Sequence, residues 1–351
     1  MKTFSEYTKN KSHIIKESAS PQYTLFPKDK SELQLMIIDE IENQGYEADL
    51  NHIDVSKVTD FSGLFYKTDF NSDVSGWNVS NATNMSKMFC GCESFNQDLS
   101  GWDVSNVTDM SMMFDGAKSF NGDISEWDVS NVIDMSEMFQ GAKSFNQDLS
   151  GWDVSNVTDM SGMFAHSAFN NDISTWDVRN VADMSYMFWD CDFNGSLKRW
   201  NTKNVEKMGG MFSGCTKFNS DISRWNVSKV IYMCHMFNGC QLFNQDISKW
   251  NVSNVTNMCS MFNGCKAFNQ DISRWDVSKV IDMEGMFYGA KSFNGDISDW
   301  DVSKVSDMSS MFENAESFNQ DISKWNVSKV TDMSDMFNGC PCPKDHQPKS
   351  K

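Results

Sequence analysis

The stretch from Phe120 to Ala142, FNGDISEWDVSNVIDMSEMFQGA, recurs with little change along most of this 351-residue chain. Its tryptophan returns every 25 residues, except at two steps of 24 residues. One apolar template with such a period is typical of a solenoid, in which each unit buries its core only against its neighbours. The sequence predicts twelve units, marked by Ile53 in a degenerate first unit and by Trp77, Trp102, Trp127, Trp152, Trp176, Trp200, Trp225, Trp250, Trp275, Trp300 and Trp325.

Each unit divides into two local patterns. Trp127–Ser130 alternates apolar and polar residues, which predicts a short strand with one buried face. Four apolar residues between Met135 and Ala142 fall at i, i+3, i+4 and i+7, which predicts a helix of two turns. Asp134 is placed as its N-cap, and Gly141 near its end suits the left-handed conformation. The expected fold is an α/β solenoid with one short parallel strand and one short helix per turn.

The two ends depart from the template. Ser31 and Gln34 form a capping-box pattern before an apolar run, so an amphipathic helix is expected to cover the first unit. At the C-terminal end no capping element is apparent, so a partner, a second copy or the folded-back tail is expected to shield it. We divide the chain into a flexible basic arm (1–30), an N-terminal capping helix region (31–49), the repeat solenoid (50–340) and a flexible tail (341–351).

Composition excludes several classes of protein. The formal charge of −18 argues against a protein that coats nucleic acid or anionic membranes, because both need a basic face. No run of about 18 apolar residues is present, so membrane insertion is not expected. Met1–Ser20 lacks the apolar run of a secretory signal, which leaves cytoplasmic, surface and secreted locations open.

No catalytic, metal-binding or cofactor-binding residue is predicted, and an enzyme is not expected. The five histidines share no repeat column and no metal-ligand spacing. The chain contains no zincin motif, no phosphate-binding glycine loop and no nucleophile elbow.

Two columns of the repeat contain residues that can carry out chemistry, but a structural role explains each of them more simply. One column holds cysteine or alanine, as at Cys240, which indicates a small buried residue; a disulfide between units is the alternative. Another column holds aspartate, as at Asp123 and Asp271, which favours capping of loop amides over bridging by cations. Cys234 and Cys259 lie outside the first column and are expected to be more accessible thiols.

The repeated string F-N-x-D-I-S-x-W-D-V-S-x-V-T-D-M-S-x-M-F-x-G-A resembles bacterial surface-protein repeats of about 25 residues. Those repeats are grouped with BspA-like leucine-rich repeats and occur as a domain of unknown function in mycoplasma lipoproteins. The resemblance covers about residues 30–340, and Leu99–Asn106 looks like a compressed leucine-rich-repeat strand with its asparagine in the ladder position. It implies a right-handed leucine-rich-repeat-like superhelix and, for some members, surface exposure and adhesion to host proteins.

Two surface features are candidates for binding a partner. Positions before the tryptophan become basic in the second half of the chain, which predicts either a binding row on a sheet face or a charge-compensated solvated face. Two aromatic residues fall at helix positions that are usually small or polar, which indicates either an interface hot spot or the filling of a gap at a helix kink. The predicted partner-binding residues are Tyr186, Trp189, Arg199, Arg224, Lys249, Arg274 and Lys324.

The sequence therefore favours a non-catalytic binding solenoid, a scaffold that resembles surface adhesins. Its expected partner is a protein, such as a host or matrix protein, or a glycan. The alternative is a structural or assembly component, intracellular or viral, that forms homo-oligomers through its solenoid ends, with the C-terminal end docking another copy.

Overall fold

The computed structural model describes residues 23–349. Within them, the repeats stack as turns joined through one column of single-residue parallel bridges. Successive bridge positions are 24 or 25 residues apart, which confirms the repeat solenoid and its register. The twelve positions of the column are Asp60, Asn84, Asp109, Asp134, Asp159, Asp183, Lys207, Tyr232, Asn257, Asp282, Asp307 and Asp332.

The strand predicted at Trp127–Ser130 is wrong. This segment lies between two tight turns, in which the Trp127 amide donates to Ile124 and the Val132 amide donates to Val129. The Trp127 and Ser130 amides are therefore used in local turns, and the bridge forms further along, at Asp134. Residues 23–349 contain bridges but no extended strand.

The helix predicted between Met135 and Ala142 is also wrong. Amides at positions 135, 137, 139 and 141 donate to carbonyls of the next unit, so they cannot form i to i−4 bonds. Glu137 has φ 55° and Gly141 has φ 67°, both in the left-handed region that a right-handed helix excludes. The segment is a run of turns, and Asp134 accepts the Ser136 amide at 2.8 Å in a local turn. The left-handed conformation predicted for Gly141 is confirmed.

Aromatic columns fill the interior. The Phe139 ring stacks on Phe114 of the preceding turn, with centroids 5.7 Å apart, and on Phe145 of its own turn at 3.9 Å. Trp127 is buried, and its Nε1–H donates to the Leu99 carbonyl of the preceding turn at 3.0 Å. Each tryptophan thus joins two turns through packing and a hydrogen bond, which places the core along the whole axis.

A helix covers the N-terminal end, as expected. This helix, α1, spans Lys30–Gln44 and buries Leu33 and Ile37. The capping box predicted at Ser31 and Gln34 is wrong, because α1 begins earlier: the Asp29 carboxylate accepts the Glu32 amide at 3.0 Å. Residues 1–22 of the predicted basic arm lie outside the described residues.

At the other end, the tail folds back on the solenoid. Lys344–His346 forms one short 3-10 turn, and the His346 carbonyl accepts the Ile322 amide at 3.0 Å. Cys342 is buried, and the His346 ring Nδ1 lies 3.0 Å from the Asn319 carbonyl. A partner, a second copy or the tail was expected to shield this end, and the structure shows contacts made by the tail.

Polar columns stabilise the turns. Asp271 accepts the Ser273 amide at 2.9 Å. Other aspartates of this column likewise accept the amide of the serine two residues later, which confirms the predicted capping role. Asn106 donates from Nδ2 to the Ser80 carbonyl of the preceding turn at 2.8 Å, as predicted for a ladder asparagine. The buried side chains of residues 23–349 leave no polar atom unpaired.

Candidate functional site

Two exposed aromatic residues lie in one turn of the stack. Tyr186 is the third residue of the tight turn in which the Met187 amide donates to the Met184 carbonyl, and it adopts φ 57°. The Trp189 amide then donates to the Tyr186 carbonyl at 3.0 Å. Their side chains are 42% and 41% exposed, unlike the enclosed tryptophans of the core. Trp189 therefore does not fill a gap in the interior, which was the alternative interpretation.

The rings form a cluster with a histidine from the preceding turn. Trp189 lies with its ring centroid 5.5 Å from Tyr186 and 4.4 Å from His166, each pair tilted by 56°. Nδ1 of His166 is 3.2 Å from a carboxylate oxygen of Asp190. We call His166, Tyr186 and Trp189 the aromatic patch. It presents apolar ring faces beside a histidine and a carboxylate.

Glycines in the next turn make room for this patch. A Cβ at Gly210 would lie 2.3 Å from the Tyr186 ring, and one at Gly209 would lie 3.3 Å from Cys234 Sγ. The Tyr186 ring therefore extends across the backbone of its neighbour. Partial burial raises the pKa of the Tyr186 hydroxyl above its ordinary value.

Two residues of the patch region were missed by the sequence reasoning. His166 and Asp190 occupy the column that holds Gly141 and Gly214 in other turns, and they keep its left-handed backbone with φ 56° and 51°. Non-glycine residues in that conformation cost free energy and concentrate at functional sites. The sequence signal that could have identified both residues is the loss of glycine from this column in two successive units.

The basic positions lie on turns rather than on a sheet face, because this region forms no sheet. Each precedes the buried tryptophan, as the third residue of the turn closed by the tryptophan amide. None forms an ion pair within the described chain, although the charges of Arg199, Lys249 and Arg274 act weakly on neighbouring aspartates. We call these positions, Arg199, Arg224, Lys249, Arg274 and Lys324, the cation row.

Their spacing along the chain separates the aromatic patch from the cation row. Tyr186 lies about midway along the chain between Thr175 and Arg199, which hold the row position of two successive turns. In a closed turn, that midpoint falls on the opposite side of the solenoid. A partner that contacts both features would have to reach around the stack, so they are two separate candidate sites.

The cysteines fall into two environments. Cys240 is enclosed, its thiol donates to the Phe212 carbonyl at 3.0 Å, and burial raises its pKa well above the usual range. The prediction of a small buried residue in this column is confirmed. Cys234 and Cys259 are half-buried, as expected of the more accessible thiols, and all ten cysteines are unpaired.

Neither a metal centre nor a membrane-spanning helix is found in the described part of the chain. Residues 23–349 hold no group of three or more histidine, cysteine, aspartate or glutamate side chains placed to bind a metal ion. Over the same residues, no helix has the length and apolarity to cross a bilayer.

Stacked turns with an aromatic core and helical cap define the chain as a repeat solenoid. It belongs to the family described as "Mycoplasma protein of unknown function, DUF285". The family model matches overlapping segments at residues 36–131, 99–194, 122–214, 166–268, 190–291 and 243–347.

Other comparisons add little. Among solved structures, the chain is similar to the functional domain of InlJ from Listeria monocytogenes, which includes a cysteine ladder. The two are 13% identical with a TM-score of 0.25, and the match covers 81% of this chain and 68% of that one. No curated protein matches the sequence.

Proposed function

We propose that this chain is a non-catalytic binding solenoid that recognises a protein or a glycan through the aromatic patch. The observation that carries the proposal is that Trp189 is exposed and lies against Tyr186 and His166, whereas the tryptophans of the repeat column are all buried. Exposed tryptophan and tyrosine side chains dominate the energy of protein interfaces, because they bury a large rigid surface at low entropic cost. This adhesin-like role agrees with the resemblance to BspA-like surface repeats.

The left-handed residues beside the rings support a selected site. Retaining His166 and Asp190 where glycine would relieve strain suggests that their side chains contribute to recognition. His166 contacts Trp189 and Asp190, so it can fix the indole ring and present polar groups at its edge. The patch is thereby preorganised, which lowers the cost of binding.

Substitution at one column tests the proposal. Binding is measured by surface plasmon resonance against a panel of oligosaccharides and purified matrix proteins, with wild-type chain, Trp189→Ala and Tyr288→Ala. Tyr288 occupies the Trp189 column four turns later and is 37% exposed, so it is a matched control. We expect Trp189→Ala to weaken binding about tenfold or more, and Tyr288→Ala to leave it unchanged.

The cation row is tested separately. Arg224→Glu combined with Arg274→Glu reverses charge on two exposed turns without touching the core. A loss confined to this variant would assign recognition to the row instead. If both Trp189→Ala and the charge-reversed variant bind as the wild type does, the proposed function is wrong.

Self-association is a second candidate, and one observation favours it. Four amides of the last turn lie where earlier turns donate hydrogen bonds to the turn that follows, but these four have no acceptor within residues 23–349. They belong to Met333, Asp335, Phe337 and Gly339. Met333 and Phe337 are also only partly buried there. Unpaired backbone groups at an edge are a template for another chain. A molar mass from light scattering that stays monomeric at all concentrations would exclude this function.

A further inference from the structure

Cys234 and Cys259 occupy the same position on neighbouring turns, where most turns carry serine. The Met233 amide donates to Asn257 at 3.1 Å, and the His235 amide donates to the Cys259 carbonyl at 2.8 Å. The two backbones are therefore in register on both sides of Cys234. Neighbouring parallel segments lie about 4.8 Å apart, within the range of roughly 4.4–6.8 Å that a disulfide requires between Cα atoms.

The orientation of these thiols differs from that in the buried column. Cys234 and Cys259 are half-buried, and the thiol of each alters the pKa of the other. Cys240, in contrast, is fully enclosed and directs its thiol to the Phe212 carbonyl. The first pair is therefore in register on adjacent turns and partly open to solvent.

The surroundings assign different roles to the two sulfurs. The Cys259 thiol donates to Cys234 and lowers its pKa to about 7, while the same interaction, burial and Asp282 raise the pKa of Cys259. Nε2 of His235 lies 3.8 Å from Cys259 Sγ. A Cβ on Gly209 would lie 3.3 Å from Cys234 Sγ, so the glycine leaves space beside this thiol.

We propose that Cys234 and Cys259 are a thiol-modification site that closes into a reversible disulfide between two turns by exchange with a small disulfide, such as oxidised glutathione. The Cys234 thiolate attacks one glutathione sulfur, and a mixed disulfide forms while one glutathione thiolate leaves. The Cys259 thiol then attacks the Cys234 sulfur, and its proton passes to the glutathione that leaves. The Cys234–Cys259 bond forms, and the second glutathione leaves as a thiol. Oxidised glutathione is reduced to two thiols as the pair is oxidised.

Peptide mapping tests this assignment on the full reduced chain. The chain is incubated with oxidised glutathione at pH 7, its free thiols are blocked with N-ethylmaleimide under denaturing conditions, and its peptides are analysed by mass spectrometry. We expect a peptide pair linked through Cys234 and Cys259, which dithiothreitol separates. Cys240 should carry the maleimide, because it is enclosed during the oxidation.

Serine variants trap the intermediate. Serine is the natural residue of this column, as at Ser136 and Ser309, so both variants are compatible with the fold. Cys259→Ser should retain glutathione on Cys234, since no second thiol displaces it. Cys234→Ser should acquire glutathione on Cys259 at least about threefold more slowly, because burial and the charge of Asp282 still raise the pKa of that thiol.

Three outcomes would overturn the proposal. The first is the absence of the linked peptide from the wild type at pH 7. The second is a disulfide that joins two separate chains. The third is glutathione found on Cys340 or Cys342 while Cys234 stays free. Circular dichroism of each serine variant checks that its turns remain stacked. A folded Cys259→Ser chain without glutathione on Cys234 would equally contradict the assigned role.

Discussion

The Tyr186 ring occupies the space that a side chain on Gly210 would need. A Cβ built on Gly210 would lie 2.3 Å from the ring carbon Cε1, far inside van der Waals contact. Gly210 also has φ 62°, where a side chain is strained. This one glycine therefore relieves backbone strain and permits the exposed position of the tyrosine in the aromatic patch.

Gly210→Ala should disturb the patch, and Gly162→Ala supplies the matched control. Gly162 has the same φ of 62° in the same column, but its Cβ would meet only the flexible Glu137 side chain at 3.0 Å. Both variants should lose about 1 kcal/mol from backbone strain. Gly210→Ala should lose more and shift Trp189 fluorescence, because Tyr186 must move. Equal losses in urea denaturation, with unchanged emission, would contradict the contact.

Trp152 tests how packing and hydrogen bonding share the stability of the stack. Its ring lies 6.5 Å from Trp176, and its Nε1–H donates to the Ile124 carbonyl at 3.0 Å. Trp152→Phe should cost about 1–3 kcal/mol, because a buried carbonyl loses its donor. Trp152→Ala should cost roughly 3–5 kcal/mol, because a cavity is added. Chemical denaturation measures both, and similar values for the two would exclude a dominant packing contribution.

The aspartate column should make the fold sensitive to acid. Hydrogen bonds from the Ser273 hydroxyl and amide lower the pKa of Asp271, and serines act likewise on Asp98 and Asp246. A carboxyl whose pKa is lowered in the folded state stabilises that state, and this stabilisation is complete above the unfolded pKa of about 4. That stability is lost as pH falls from about 4 through the lower, folded pKa.

Urea denaturation at a series of pH values checks this expectation on wild type, Asp271→Asn and Asp271→Ala. Asparagine retains an acceptor oxygen, as Asn251 does for the Ser253 amide, so it should keep most of the stability at pH 7. Alanine removes the acceptor and should lose about 0.5–1 kcal/mol. A wild-type chain that is equally stable at pH 3 and pH 7 would contradict the capping role.

The reactivity of Cys234 should depend on its neighbour. Because the Cys259 thiol stabilises the Cys234 thiolate, Cys259→Ala should raise the pKa of Cys234 from about 7 toward its ordinary value of 9.0. Alkylation by iodoacetamide at pH 7 should slow roughly fivefold, since fewer thiolates form but each is more nucleophilic. Cys259→Ser keeps a donor and should be affected less. The same pH profile in the alanine variant and the wild type would exclude this hydrogen bond.

The core was predictable from sequence because every turn repeats the same contacts. The tryptophan and phenylalanine columns are read from the period, and the structure buries them in register, as at Trp127 and Phe139. The predicted helix failed for a physical reason: apolar residues at i, i+3, i+4 and i+7 also arise when two consecutive tight turns face one core. Which carbonyl accepts each amide depends on the neighbouring turn, and local periodicity does not contain that information.

The candidate sites were predictable in part. The exposure of Tyr186 and Trp189 followed from aromatic residues in columns that are usually small or polar. The contributions of His166 and Gly210 did not, because they depend on which turns lie next to each other. The separation of the cation row from the aromatic patch likewise follows from the path of each turn around the axis.

The hydrogen bonds between turns, found where a helix was predicted, also align peptide dipoles along the solenoid axis. In each turn the amides at the four positions of Met135, Glu137, Phe139 and Gly141 all point toward the C-terminal end, and the accepting carbonyls point back toward α1. Peptide dipoles aligned in one direction add along their axis, as they do in a helix. This run of hydrogen bonds therefore ends in partial positive charge beside Gly339, so the C-terminal end of a strongly acidic protein offers backbone groups that favour an anionic group.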